Sequence, residues 1–294
     1  MQANRRQVLI AGCGYVGQRL ALRLQSSFEV IGLVRSTERV AELQRLGVRA
    51  LAIDLDRVRP GTTIPESLDL EAIVYLTPPP VLGESDLRLD RFLQLASVPP
   101  RTFVYMSTTG VYGDTAGAVV DESSTVQPRT DRARRRISAE EMTRVWCNER
   151  HVRRVVLRVP GIYGPERLPI ERLRHSEPVV REREAGINNR IHVDDLVEAC
   201  ACAITNPEAR GVYNVTDGRP LSSTTFINMV AKAAGLPSPP QVSMEEAQLT
   251  FSPERLSFLN ESRRVSNERM LKHLGVVLKY GDVESGIRAS LPEQ

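Results

Sequence analysis

The feature that most constrains this chain is the run Gly12-Cys13-Gly14-Tyr15-Val16-Gly17. It lies between a short apolar stretch, Val8 to Ala11, and the stretch Tyr15 to Gln25, in which Val16, Leu20 and Leu24 share one helical face. A strand that becomes a helix across such spaced glycines is the local order of a mononucleotide-binding unit. Gly12 permits the tight turn, Gly14 lets backbone approach a diphosphate, and Gly17 lets the helix pack closely on the sheet. The first helical residues, Tyr15 and Val16, aim free backbone donors at the phosphates, so the loop needs no lysine. A glycine turn also serves close packing with no ligand, and the context of strand, turn and helix favours the ligand.

The same alternation continues downstream. Val30 to Val34 read as a second strand, and Ser36 caps a helix that turns Val40, Leu43 and Leu46 inward and stops at Gly47. Strands follow at Val48 to Ile53, Ala72 to Leu76, Thr102 to Met106 and Val155 to Val159, with helices over Asp86 to Ala96 and Arg132 to Arg150. This pattern predicts an α/β, Rossmann-type doubly wound parallel sheet with a smaller C-terminal substrate lobe. Gly161 to Asn189 is rich in loop formers and charge and reads as an excursion. Asp194 is the expected cap of a returning helix that carries Leu196, Val197, Ala199 and Ala203, and Gly211 to Val215 is a further strand. Thr224 to Ala234 reads as helix, Pro237 to Pro240 as a linker or turn, and Asn267 to Leu274 as a last helix stopped by Gly275. The predicted division is residues 1–165 for the dinucleotide domain, 166–190 and 218–265 for the lobe, and 191–217 and 266–294 as returns to the main domain.

Composition narrows the partners. With 294 residues, 41% hydrophobic, the chain buries a substantial core, and 39 basic against 36 acidic residues give a net charge of +3. That balance gives little attraction to a polyanion, so no nucleic-acid partner is expected. Nearly all the basic residues are arginines, which suit forked contacts with a local anion. Cys13, Cys147, Cys200 and Cys202 lack zinc-ribbon spacing and disulfide density, so reduced thiols and no metal are expected. Met1 to Arg6 lead straight into a strand, and no apolar run is long enough for a span, which points to a cytoplasmic monomer or homodimer away from the membrane.

At the end of the second strand stands Arg35, where an acidic residue ordinarily receives the adenosine ribose hydroxyls of NAD. Arg35, with Arg39 one turn on, instead offers donors to the 2'-phosphate of NADP, so NADP is preferred with NAD possible. The competing reading is a solvated helix start. Asp54 and Leu55 are placed to face and cover the adenine, or else to serve as turn and core residues. Thr77 ends the fourth strand near the cofactor, although Pro78, Pro79 and Pro80 account for the segment as a stiff loop.

The glycine run combined with Ser107-Thr108-Thr109-Gly110-Val111-Tyr112-Gly113, Leu157-Arg158-Val159-Pro160-Gly161-Ile162-Tyr163-Gly164-Pro165 and Arg190-Ile191-His192-Val193-Asp194-Asp195-Leu196 resembles the extended short-chain dehydrogenase/reductase family, in its NAD-dependent epimerase/dehydratase branch. The resemblance implies NAD or NADP bound for oxidation, reduction, epimerisation or dehydration of sugar nucleotides or related small molecules. It places Thr108 where a hydroxyl meets the reacting oxygen, and Ser107 and Pro160 near the cofactor. Aligned through Glu140, it puts Arg132 where the family has its proton-transferring Tyr and Arg136 where it has its Lys. Arg136 retains donors for ribose hydroxyls, whereas a guanidinium at 132 stays protonated and is a poor acid or base. The two arginines hold an anionic substrate or form a solvated basic face. Tyr105, Tyr112, Tyr163 and His192 are the candidates for a replacement proton relay, with Tyr112 beside the nicotinamide.

The expectation is therefore an atypical NAD(P)-binding oxidoreductase or epimerase/dehydratase-like protein with Thr108, Arg132 and Arg136 at its catalytic positions, acting on a small hydroxyl or carbonyl substrate. The alternative is a nucleotide-binding regulatory or redox-sensing protein without efficient hydride transfer.

Overall fold

Val8 and Ile10 point into one apolar cluster while Leu9 and Ala11 point into another, so the first strand is buried on both faces. The same alternation, Val74 and Val104 against Tyr75 and Tyr105, runs through the middle of a seven-stranded sheet. The computed structural model describes residues 6–65 and 68–292. Residues 1–5, which bear on the expectation of no leader segment, lie outside the described residues.

The strands of the sheet are β1 (Gln7–Ala11), β2 (Glu29–Val34), β3 (Arg49–Ala52), β4 (Leu70–Tyr75), β5 (Thr102–Thr108), β6 (Arg153–Val159) and β7 (Gly211–Asn214). They lie in the order β3-β2-β1-β4-β5-β6-β7, and every pair is parallel. Strand order reverses between β1 and β4, which opens a crevice beyond their carboxyl ends.

Two helical layers cover the sheet. Helices α1 (Tyr15–Leu24) and α2 (Thr37–Arg45) pack on one face with the later helix Val193–Thr205, while α3 (Leu87–Leu95) and α4 (Asp131–Glu149) pack on the other. Asp86 caps α3 by accepting from the Leu89 amide at 3.0 Å, and Thr130 caps α4 by accepting from Ala133 at 3.2 Å.

A third apolar cluster stands apart from the sheet. It gathers Leu173 of α5 (Ile170–Arg174), Phe226 and Val230 of α7 (Ser223–Ala233), and Val283 and Ile287 of α10 (Val283–Ser290) around Tyr163. Between these elements α6 (Val193–Thr205) returns to pack along α1, and Met270, Leu274 and Val276 also join the main core.

Several sequence expectations need correction. Asp194 does not cap α6; the cap is His192, whose Nδ1 accepts from the Asp194 amide at 3.1 Å while Nε2 meets Ser290 Oγ at 3.1 Å. Asp194 lies inside the first turn, where its charge suits the helix dipole. The last predicted helix is wound as a π-helix over Met270–Leu274, ended by Gly275 at φ 81°. Helices α8 (Met244–Thr250), α9 (Pro253–Leu259) and α10 were not anticipated. The first two begin with legible signals, a Ser243/Glu246 capping box and a Ser252 cap followed by proline, but each spans only two turns.

Candidate cofactor and active site

The glycine turn is held by the sheet beside it. Gly12 and Cys13 donate to the Leu33 carbonyl at 3.0 and 3.1 Å, and Gly14 donates to Gly12 at 2.8 Å. Gly12 has φ 88°, and a Cβ there would lie 2.6 Å from the Thr77 nitrogen, so no other residue fits. At Gly14 a Cβ would meet nothing within 4 Å: this glycine opens onto the crevice. No side chain caps α1, so its first-turn amides remain available to a ligand.

Those features border a cleft of about 330 Å³ lined by Gly12, Gly14, Arg35, Arg39, Leu55 and Thr77, among others. The structure therefore brings together the predicted residues of the adenosine half. Tyr15, Val16 and Gly17 form the first turn of α1 beside it, with Gly17 packed 3.0 Å, at its virtual Cβ, from the Gly12 carbonyl.

Arg35 is 70% exposed and lies 3.4 Å from Asp54 and 3.8 Å from Asp56. Arg39 pairs with Glu42 on the helix surface. Asp54 accepts from the Asp56 amide at 2.9 Å, and Leu55 is buried in the second cluster while lining the cleft. Two lining residues escaped the sequence reading. Asp56 is gripped by Arg88 through two bonds of 2.7 Å, and Arg88 also donates to the Pro78 carbonyl at 3.0 Å. The Asp-Leu-Asp turn hinted at Asp56, but Arg88 reaches it from a helix more than thirty residues away, which no local signal reveals.

The other half of the crevice lies at the end of β5. Thr108 Oγ1 accepts from the Gly110 amide at 3.1 Å, and this leaves its own hydrogen free to donate. Ser107 turns the opposite way and donates to Glu140 at 2.5 Å. Arg136 descends from α4 to donate to the Met106 carbonyl at 2.8 Å and to the Tyr105 hydroxyl at 3.2 Å. Arg132, one turn earlier, lies 4.1 Å above the ring of Phe258 in α9. Pro160 is partly buried at the exit of β6.

Glu140 does more than mark the alignment. It accepts from Arg158 at 2.8 and 3.1 Å, and Arg158 donates to the Tyr112 hydroxyl at 3.0 Å. Tyr112 in turn donates to Asn214 at 2.8 Å. This buried chain joins α4, β6 and β7 to the turn after β5 that carries Tyr112, and it occupies the Tyr112 hydroxyl.

The remaining relay candidates are also enclosed. Burial pushes the Tyr105 hydroxyl up to about 12 and also raises those of Tyr112 and Tyr163. Tyr163 packs against His192 and Phe226, away from the sheet. His192 is 1% exposed, and burial holds it in the neutral form that its capping bond requires. It is a structural histidine.

A parallel sheet of this order, with an uncapped first helix above a glycine turn, is the arrangement of the α/β class of proteins whose dinucleotide site lies at the switch point. Residues 8–216 match the NAD dependent epimerase/dehydratase family, and the chain belongs to that family. Mouse dTDP-D-glucose 4,6-dehydratase is 29% identical over 122 residues, 38% of this chain and 34% of that protein. The dTDP-glucose 4,6-dehydratase of Streptomyces niveus is 26% identical over 144 residues, 45% and 42% of the two chains. These matches thus span less than half of either relative. Among solved structures, a conserved protein of unknown function from Silicibacter pomeroyi superposes with a TM-score of 0.81 at 30% identity over 97% of both chains. UDP-glucuronic acid 4-epimerase from Bacillus cereus, in complex with NAD, superposes at 0.76 with 17% identity over 97% of both, which shows the shared fold. Among the described residues no helix is long and apolar enough to cross a membrane.

Proposed function

We propose that this protein is a dinucleotide-dependent oxidoreductase, NADP preferred, that acts on a small hydroxyl or carbonyl compound carrying an anionic group, without the family's tyrosine and lysine. The observation that carries this reading is the uncapped α1 N-terminus opening, through Gly14, onto a cleft whose adenosine end holds Arg35 and Arg39. The bound dinucleotide supplies hydride acceptor or donor chemistry. Thr108, its acceptor side tied to Gly110, donates its hydrogen to the reacting oxygen. Arg136, anchored on Met106, offers its remaining donors to ribose hydroxyls, and Arg132 offers the edges of its guanidinium to the substrate's anion. The excursions at 166–190 and 218–265 are read as the lobe that covers the substrate, around a cytoplasmic monomer or homodimer.

Preference for NADP requires the 2'-phosphate to win Arg35 from Asp54. The contact is long and exposed, so its loss costs little, whereas a phosphate offers two forked bonds. Titration with NADPH and NADH is expected to show tighter NADPH binding, and Arg35→Ala to weaken NADPH about tenfold while NADH changes less than about twofold. Equal affinities in the unaltered protein would refute the preference. Mass analysis of nucleotide released on denaturation, followed by substrate-dependent isotope exchange, tests the oxidoreductase reading itself.

A second reading, dinucleotide binding without efficient hydride transfer, is favoured by one observation. Tyr105, Tyr112 and Tyr163 are all buried, so none presents a hydroxyl at the surface of the crevice. Stoichiometric NADPH formation with an oxidised product excludes it.

A further inference from the structure

The segment 164–167, just beyond β6, folds back on the first turn of α1. Tyr15 donates its hydroxyl to the Pro165 carbonyl at 2.7 Å, and the Arg167 amide donates to Gly164 at 3.0 Å. Gly164 sits at φ 154°, and a Cβ there would fall 2.8 Å from the Tyr15 hydroxyl and 2.6 Å from Val193. Glu166 holds φ 66°, a left-handed conformation that costs a non-glycine residue energy and that clusters at ligand clamps.

This folding delivers Arg167 to the Tyr15 ring, its guanidinium carbon 4.6 Å from the centroid, where the guanidinium of Arg19 already stands at 4.0 Å. Two like charges are thus held within about 9 Å of each other, a spacing at which they repel. Neither is answered by a carboxylate ion pair among the described residues. Arg158, by contrast, is met by Glu140. Arg19 also donates to the Tyr15 carbonyl at 3.0 Å, which satisfies one of its donors but leaves its charge without an ion pair, so open amides, two guanidiniums lacking a carboxylate ion pair and a constrained backbone converge on the same end of the same helix.

We propose that Arg167, with Arg19 beside it on Tyr15, clasps the diphosphate of the bound dinucleotide. The inference rests on the dinucleotide reading above and adds a residue from outside the sheet to that site. An anion there relieves the repulsion between the guanidiniums and extends the donor set of α1 from backbone amides to forked side chains. It also makes segment 164–167 part of the cofactor site, although the chain continues from it into α5 and the third cluster.

Titration of the full chain with NADPH, NADH and ADP-ribose, at low and high salt, tests the clasp. Arg167→Ala is expected to weaken all three about tenfold and to flatten their salt dependence, with Arg167→Glu weaker still and Arg167→Lys intermediate. ADP-ribose carries the diphosphate without nicotinamide. A loss confined to NADPH and NADH therefore overturns the assignment to the diphosphate. Arg167 is exposed, and circular dichroism verifies that each variant is folded. If the unaltered protein binds the dinucleotides and the alanine and glutamate variants bind them equally well, the clasp alone falls. If the unaltered protein binds none of the three, the dinucleotide reading and the clasp fall together.

Discussion

At the scale of single residues, Cys13 sits inside the glycine turn yet is closed to chemistry. It is 2% exposed, and its sulfur would lie 3.1 Å from a Cβ placed on Gly32. Burial pushes the thiols of Cys13, Cys147 and Cys200 up to about 12, and that of Cys202 up to about 11. The reactive species is the thiolate, so these groups make poor redox sensors near neutral pH. Mass spectrometry after iodoacetamide treatment of the native protein is expected to find Cys202, which is partly exposed, modified first and the other three protected until denaturant is added. Rapid alkylation of Cys13 with loss of nucleotide binding would restore the redox-sensing alternative.

At the scale of elements, α4 carries Arg132 and Arg136 between two fixed points. Its Thr130 cap and its Glu140 anchor fix where positions 132 and 136 stand, whatever occupies them. The double variant Arg132→Tyr/Arg136→Lys is therefore expected to keep nucleotide binding and the native circular dichroism spectrum. Where a matching substrate is present, the double variant is expected to transfer hydride faster than the unaltered protein across an alcohol, aldehyde and nucleotide-sugar panel. Robust turnover by the unaltered protein that survives Arg132→Ala and Arg136→Ala separately would show that these positions do not limit the chemistry.

The same element marks what sequence reading reaches. Long apolar runs and the glycine turn made the sheet and its switch point legible, because β1, β4 and β5 are buried on both faces and local pattern suffices. Thr77 and Leu55 were legible as cleft residues through their place at strand ends. Arg88, Arg158 and Arg167 were not, because their partners Asp56, Glu140 and Tyr15 lie 32, 18 and about 150 residues away and only folding joins them. The His192 cap was missed because an aspartate two residues later is the commoner capping residue.

For the whole molecule, pH acts on two buried groups in opposite directions. Burial lowers the His192 pKa, so the unfolded chain binds more protons on the acid side and the stability from this group is lost as pH falls below about 6.5. Burial raises Asp217 from its ordinary 3.8 to about 7, despite the amide of Arg219 and the charges of Arg190 and Arg219, with Asp195 adding to the rise. The folded state then binds more protons between those values, so this group's contribution is greatest below 3.8 and declines as pH rises to about 7. Asp217→Asn keeps an acceptor for the Arg219 amide, which the aspartate meets at 2.9 Å, and removes the charge. Thermal unfolding is expected to show a larger stabilisation by this substitution at alkaline than at acid pH. An effect of equal size at both would rule out the titration of Asp217 as its source.

The buried chain from Glu140 through Arg158 and Tyr112 to Asn214 has a bearing on how freely the working face of α4 can be rebuilt. It ties one helix to two strands and to the turn that follows β5, about one helical turn beyond Arg136 and two beyond Arg132. Removing one member of such a buried ionic pair costs about 3–5 kcal/mol, enough to threaten a marginally stable domain. Arg132 and Arg136 belong to no such ion pair among the described residues, and Arg136→Lys keeps a donor for the Met106 carbonyl. The frame is thus a tool holder separate from the bit it carries: side chains at 132 and 136 can be exchanged one for another while the Glu140 anchor keeps the working position where it is.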